Sequence, residues 1–142
     1  MESLDLARIP QGALLLLDSA PLIFLLEGRA GFAAKYQPLL DAQATGRVRF
    51  AVSTITLIEV LAGPLQKRQE ALAARYQRLM ESWIVVPLDA EVAGSAARIC
   101  ATDGLKLPHA VQVASAIAAQ AYALVTHDRD FSRINAIRVL TA

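Results

Sequence analysis

The sequence predicts an α/β domain whose mostly parallel sheet is covered by helices on both faces. Short continuous apolar runs, such as "ALLLL" at 13–17, alternate with longer helical patterns. Cap and turn residues mark the junctions between the two kinds of segment. The length, 142 residues, fits a single domain over 1–142, and no linker, repeat or low-complexity stretch divides it. Strands separated by helices imply βαβ units, and sheets of that kind bind ligands at the carboxyl ends of their strands.

Each element has a local reason. The run 13–17 reads as a buried strand because it is short, apolar and followed by turn chemistry. Ser19 can cap the next helix, Pro21 suits its first turn, and Gly28 ends it. A second helix covers about 31–44 and stops at Gly46. "RVRFAVS" (47–53) is the second strand; Ser53 and Thr54 are candidate caps for a helix over 54–62, which Gly63-Pro64 terminates. "QKRQEALAARYQRLMES" is an amphipathic, basic helix. "WIVVPL" (83–88) is the third strand, and Asp89 caps a helix running to about Asp103. Pro108 starts a helix over 108–120, "YALVT" (122–126) is the fourth strand, and a short helical turn leads to a last strand, "IRVL" (137–140).

Composition bounds the function. Hydrophobic residues make up 55% of the chain, so part of the apolar surface is expected at a partner interface. The net charge of +1 supplies no global attraction to nucleic acid or to a membrane. Eleven of the fourteen basic residues are Arg, whose planar fork suits phosphate. A lone cysteine, Cys100, excludes an internal disulfide and fits a reducing, cytoplasmic setting. The opening "MESLDLARIP" lacks the basic start of a signal peptide, and no stretch reads as a membrane span.

The polar groups inside apolar segments carry the chemistry. Asp18 interrupts "LLLLDSAPLIFLL", where an unpaired buried carboxylate is costly. Asp128 follows the fourth strand with one residue between, so both acids fall at the carboxyl edge of the sheet. Glu59 lies almost two turns into the helix that starts at that edge, and His109 lies in the first turn of the helix before the fourth strand. Converging carboxylates repel unless a cation sits between them, and Mg²⁺ or Mn²⁺ held by such a cluster can activate water against a phosphodiester. Each residue alone has a plainer reading: Asp18 and Asp128 as helix caps, Glu59 as a solvated side chain, His109 as a surface or satisfied core histidine. Their common placement at one edge favours the metal site. Ser19, Thr126 and Asp130 add polar groups there, and Gln112 shares a helix face with His109, either supporting the site or merely solvated. Arg129 and Arg133 are placed to meet phosphates. Lys67, Arg68, Arg75 and Arg78 form either a second phosphate-facing surface, RNA-facing if the resemblance described next holds, or a solvated basic face.

In order and spacing, three motifs resemble the PIN domain, and most closely the small VapC-type toxin ribonucleases of bacterial toxin–antitoxin pairs. "LLDSAPLIFLL" resembles the family's strand–Asp–Ser/Thr–helix opening, "VSTITLIEVLAG" its Ser-x-x-x-x-x-Glu helix, and "LKLPHAVQVASAIAAQAYALVTHDRDF" its closing helix–strand–Thr-x-Asp-x-Asp-Phe block. The resemblance implies a three-layer α/β/α fold, Mg²⁺- or Mn²⁺-dependent RNA cleavage, a homodimer and an antitoxin partner. It implies that the family's first, second and fourth acids fall on Asp18, Glu59 and Asp128. The third acid, expected just after "LP", is replaced by His109. His109 is then a variant ligand, the mark of a natural pseudoenzyme, or a deliberate replacement that abolishes toxicity. Two other classes compete with the nuclease. One is a catalytically silent PIN fold that binds RNA or antitoxin without cutting. The other is a phosphoacceptor receiver-like domain, which wants an acidic pair by the acceptor and a lysine near a later strand end; the chain has neither.

Overall fold

The computed structural model describes residues 1–142. Its strands are β1 (Glu2–Ser3), β2 (Ala13–Leu17), β3 (Val48–Ser53), β4 (Ile84–Val86), β5 (Ala123–Val125) and β6 (Val139–Thr141). Its helices are α1 (Ser19–Glu27), α2 (Phe32–Ala44), α3 (Thr54–Gln66), α4 (Glu70–Glu81), α5 (Ala90–Asp103) and α6 (Leu107–Ala118), with 3₁₀ turns at Leu6–Arg8 and Arg129–Arg133. One sheet has the order β1-β6-β5-β2-β3-β4, and every pairing in it is parallel.

The pleat of β2 explains the three layers. Leu14 and Leu16 point into one core with Ala51, Val92, Ile99, Val113 and Phe131, under α5 and α6. Leu15 and Leu17 point into the other with Leu22, Leu39, Phe50, Val60 and Met80, under α1 to α4. A strand that alternates between two cores must be apolar at every position, which is why 13–17 shows no polar alternation. Burying a leucine fully is worth about 1.5–3 kcal/mol, so this strand anchors both layers. α6 is buried without interruption from Ala110 to Ala116, and its small side chains let it lie close to the sheet. No helix is long and apolar enough to cross a membrane.

Several boundaries differ from the sequence reading. Asp18, not Ser19, is the N-cap of α1: its backbone is extended and its carboxylate accepts from Ser19 N. α3 continues through Gly63 and Pro64 to Gln66. Proline disfavours a preceding helical residue through clashes with its N–H and its Cβ, and Gly63 has no Cβ. β4 is three residues long, shorter than the apolar run around it. β1 pairs with β6 over two residues, too few to leave a periodic signal.

The order of strands locates the ligand edge. From β2 the chain runs outward to β3 and β4, then crosses back to β5 on the opposite side of β2. The reversal lies between β2 and β5, and a crevice opens outside the carboxyl ends of strands at such a point. Asp18 follows β2 there and Thr126 follows β5. Asp18 N donates to Val125 O at 2.9 Å, so the acid leaves the sheet at its last rung.

Candidate active site

Asp18 is only 6% exposed and takes no part in any ion pair of the protein. Its burial is offset by hydrogen bonds instead. Oδ1 accepts from Ser19 N at 2.8 Å and from Gln112 Nε2 at 3.1 Å, and Oδ2 accepts from the Thr126 hydroxyl at 2.7 Å. A carboxylate offers about four lone-pair sites, so these donors leave capacity for a further partner.

Gln112 ties that carboxylate to the neighbouring strand. Its Oε1 accepts from Ser53 Oγ at 2.7 Å, and its Nε2 also donates to Thr56 Oγ1 at 2.8 Å. Ser53 Oγ accepts from Thr56 N as the cap of α3, and Ser19 Oγ donates to Thr56 Oγ1. The ends of β2, β3 and β5 are thus joined to α3 and α6 by one buried polar network. The solvated reading of Gln112 is overturned: it is 1% exposed, because α6 is covered on all sides. Sequence reading missed Thr56 altogether and took Ser53 as a cap and as the serine of the Ser-x-x-x-x-x-Glu motif. The available signal was their polarity inside the apolar "AVSTITLIEV".

Thr126 links this network to the loop after β5, since its Oγ1 accepts from Asp128 N at 3.0 Å. Asp128 divides its two oxygens. Oδ1 caps the following 3₁₀ turn by accepting from Asp130 N at 2.9 Å, and Oδ2 faces His109 Nε2 at 3.1 Å. The capping reading of Asp128 is met by one oxygen, and the other is left facing His109. His109 Nδ1 points toward Asp130 Oδ2 at 3.7 Å, too long for a hydrogen bond, and is buried without a partner. Phe131, fully buried, fixes the turn from beneath and packs its ring 4.7 Å from the imidazole.

Ligand atoms of His109, Asp128 and Asp130 lie within 4.8 Å of one another, close enough to share one metal ion. The donor chemistry fits a divalent ion, and the orphaned Nδ1 shows that the protein alone does not satisfy this histidine. One nitrogen with two carboxylate oxygens suits Mn²⁺ or Zn²⁺ better than Mg²⁺, which prefers oxygen and its own waters. Asp18 is not one of these three donors; the Thr126 hydroxyl links its carboxylate to the backbone N–H of Asp128.

Glu59 lies one turn after Thr56 on α3, exposed as a residue. Partial burial pushes its carboxyl pKa up, and the negative charge of Asp18 pushes it further; a hydrogen bond with Ser19 and the charge of His109 pull it down. Glu59 is thus within electrostatic reach of Asp18 and His109. Arg129 and Arg133 are exposed on the 3₁₀ turn that carries Asp130.

A PIN domain family model matches residues 15–137. A search of curated proteins found no match. Solved structures share the fold. A toxin–antitoxin complex from Klebsiella pneumoniae contains a chain 24% identical, with a TM-score of 0.69, matched over 87% of this chain and 94% of that one. VapBC2 from Rickettsia felis, bound to a DNA fragment from its promoter, contains a chain 17% identical at a TM-score of 0.71, over 91% and 98%. Mycobacterium tuberculosis VapC20, described as a Sarcin-Ricin loop cleaving toxin, is 15% identical at a TM-score of 0.67, over 87% and 98%. The family model spans β2 through the loop before β6, the stretch that carries Asp18, Glu59, His109 and Asp128. The chain belongs to the PIN domain family.

Proposed function

We propose that the protein is a divalent-metal-dependent endoribonuclease and the toxin of a type II toxin–antitoxin pair. The observation that carries this reading is the donor cluster of His109, Asp128 and Asp130, standing at the sheet's topological reversal beside Asp18 and Glu59. His109, Asp128 and Asp130 would hold the ion directly, with Asp18 and Glu59 adding negative charge behind and beside it. A divalent ion there would act as a Lewis acid toward a phosphodiester and an attacking water. Glu59, whose pKa is raised, is suited to take a proton from that water. Thr126 and Gln112 hold the Asp18 carboxylate in one orientation. Arg129 and Arg133 would meet phosphates of the RNA.

The partners follow from surface and resemblance. Chains of this fold occur in toxin–antitoxin complexes, so an antitoxin segment is proposed to bind here too. Ile58 and Leu65 on α3 and Leu79 on α4 are exposed, and α1 presents Ile23, Leu25 and Leu26 only partly buried. These apolar positions are proposed to form the homodimer and antitoxin contacts.

A second reading is favoured by one specific contact. The imidazole of His109 directs one nitrogen toward each of Asp128 and Asp130. When protonated it would itself supply the positive charge between them, giving a silent PIN fold that binds RNA or antitoxin without cutting. Incubating the purified chain with total RNA and Mn²⁺, Mg²⁺ or EDTA separates the two. Nuclease function predicts cleavage with Mn²⁺, less or none with Mg²⁺, and none with EDTA. RNA binding without cleavage in any metal would establish the silent reading.

A further inference from the structure

The loop that carries Asp128 and Asp130 has little backbone support. Thr126 N donates to Leu140 O at 3.0 Å at the end of β5. The next backbone–backbone hydrogen bond along the chain is Phe131 N to Asp128 O, at 3.4 Å, and the backbone of His127 makes none. Side chains hold the stretch instead. Thr126 Oγ1 takes the N–H of Asp128, and Phe131 is buried beneath the turn. The third anchor is Tyr36 on α2. Its side chain is 1% exposed and packs in the core that contains Leu15, Leu17 and Val125. Its hydroxyl lies 3.3 Å from Thr126 O and 3.0 Å from His127 Nδ1.

Those two contacts assign the proton on the imidazole. A hydroxyl carries one hydrogen, and a carbonyl oxygen only accepts. Tyr36 therefore donates to Thr126 O and accepts from His127 Nδ1–H. The opposite assignment would set the lone pairs of the two oxygens against each other. In the neutral ring Nε2 is then the bare nitrogen, since the bond made by one nitrogen decides the state of the other. Phe24 and Phe32 stand edge-on to the same imidazole, with centroids at 5.4 Å and 5.2 Å, and brace the ring that the hydroxyl orients.

The hold reaches the donor cluster through Thr126. Tyr36 grips the Thr126 carbonyl and the next side chain, and so fixes the peptide between Thr126 and His127. Thr126 Oγ1 in turn donates to Asp18 Oδ2 and accepts from Asp128 N. We propose that Tyr36 is a positioning residue of the candidate site: its hydroxyl fixes the start of the loop that carries Asp128 and Asp130, and keeps His127 as the Nδ1–H tautomer. The hold on the loop stands on these contacts alone. Its bearing on metal rests on the reading of His109, Asp128 and Asp130 as ion donors.

The test compares Tyr36→Phe with Tyr76→Phe in the full chain. The control loses a similar bond elsewhere, since the Tyr76 hydroxyl donates to Leu26 O at 3.2 Å. Nitrogen-15 spectra of the imidazoles, recorded in EDTA above the histidine range, should show the His127 proton on Nδ1 in the parent chain. The chain has two histidines, and His109→Ala assigns their signals. Tyr36→Phe should let the proton move to Nε2. It should also speed hydrogen exchange at the Asp128 amide about fivefold, the weight of one hydrogen bond. Mn²⁺ affinity by calorimetry should fall about tenfold, the lower end of what loss of an outer-sphere partner costs. Tyr76→Phe should change none of the three. A parent His127 protonated on Nε2, or Asp128 exchange in Tyr36→Phe equal to that in Tyr76→Phe, would overturn the hold on the loop. Faster Asp128 exchange with unchanged Mn²⁺ affinity would overturn its bearing on the metal. If Tyr36→Phe does not fold, the ring spectrum of the parent decides. A parent chain that binds no Mn²⁺ ends the metal reading alone, and the ring spectrum and exchange still decide the role of Tyr36.

Discussion

Gln112 and Asp18 lie 94 positions apart in the chain and meet at 3.1 Å, the glutamine amide donating to the carboxylate. The contact is buried on both sides, and the same amide group also holds Ser53 and Thr56. One side chain thereby joins α6 to the ends of β2 and β3. A buried carboxylate without a cationic neighbour requires donors of this kind, since each unmet polar group costs free energy of the order of a lost hydrogen bond.

Gln112→Leu conserves most of the volume but removes the donors and the acceptor. Ser53, Thr56 and Asp18 would each lose a partner without access to water. The expected cost is about 2 kcal/mol, within the range for a buried unsatisfied group. Urea unfolding of the metal-free chain measures it as a lower midpoint with an unchanged slope. A variant as stable as the parent would show that the network does not hold the edge together.

The raised pKa of Glu59 makes a prediction of definite sign. Burial and the Asp18 charge both penalise its ionised form in the folded state. The folded protein therefore binds this proton more tightly than the unfolded chain does. The stabilising contribution is fully present below the ordinary carboxylate range and is lost as pH rises through the higher folded pKa. Glu59→Gln removes the ionised form. In EDTA the variant should be more stable than the parent near neutral pH, and the gain should vanish as the solution is acidified below the carboxylate range. A stability difference that does not change with pH would mean that neither burial nor Asp18 raises the pKa of Glu59.

Much of this arrangement is legible in the chain. β2 and β5 announce themselves as continuous apolar runs because both faces of a central parallel strand are buried. Asp18 and Asp128 stand out because they end such runs with a charge. Gln112 does not stand out, since a helical glutamine is ordinarily solvated and its burial depends on how α6 is enclosed. The choice between Asp18 and Ser19 as cap is likewise decided by backbone angles rather than residue preference, both being good caps. Phe32 and His127 meet only through the packing of α1, α2 and the loop after β5, and no local pattern encodes that meeting.

The remaining prediction concerns the identity of residue 109. His109 supplies one nitrogen where a carboxylate would supply hard oxygens and another negative charge. Isothermal titration should therefore show tighter binding of Mn²⁺ than of Mg²⁺. His109→Ala should weaken Mn²⁺ by at least about tenfold, because the loss of an outer-sphere partner alone has effects of that size. His109→Asp should restore an oxygen-rich cluster with Asp128 and Asp130, strengthen Mg²⁺ binding and give Mg²⁺-dependent cleavage of RNA. Asp18 is joined to Asp128 through the Thr126 hydroxyl, and in the proposed site it adds negative charge next to the cluster. The gain should accordingly disappear in the double variant His109→Asp, Asp18→Asn, with circular dichroism showing that the fold is kept. If the parent chain cuts RNA with Mg²⁺ as well as His109→Asp does, then His109 is a bystander. The oxygen ligands of Asp128 and Asp130 would then suffice.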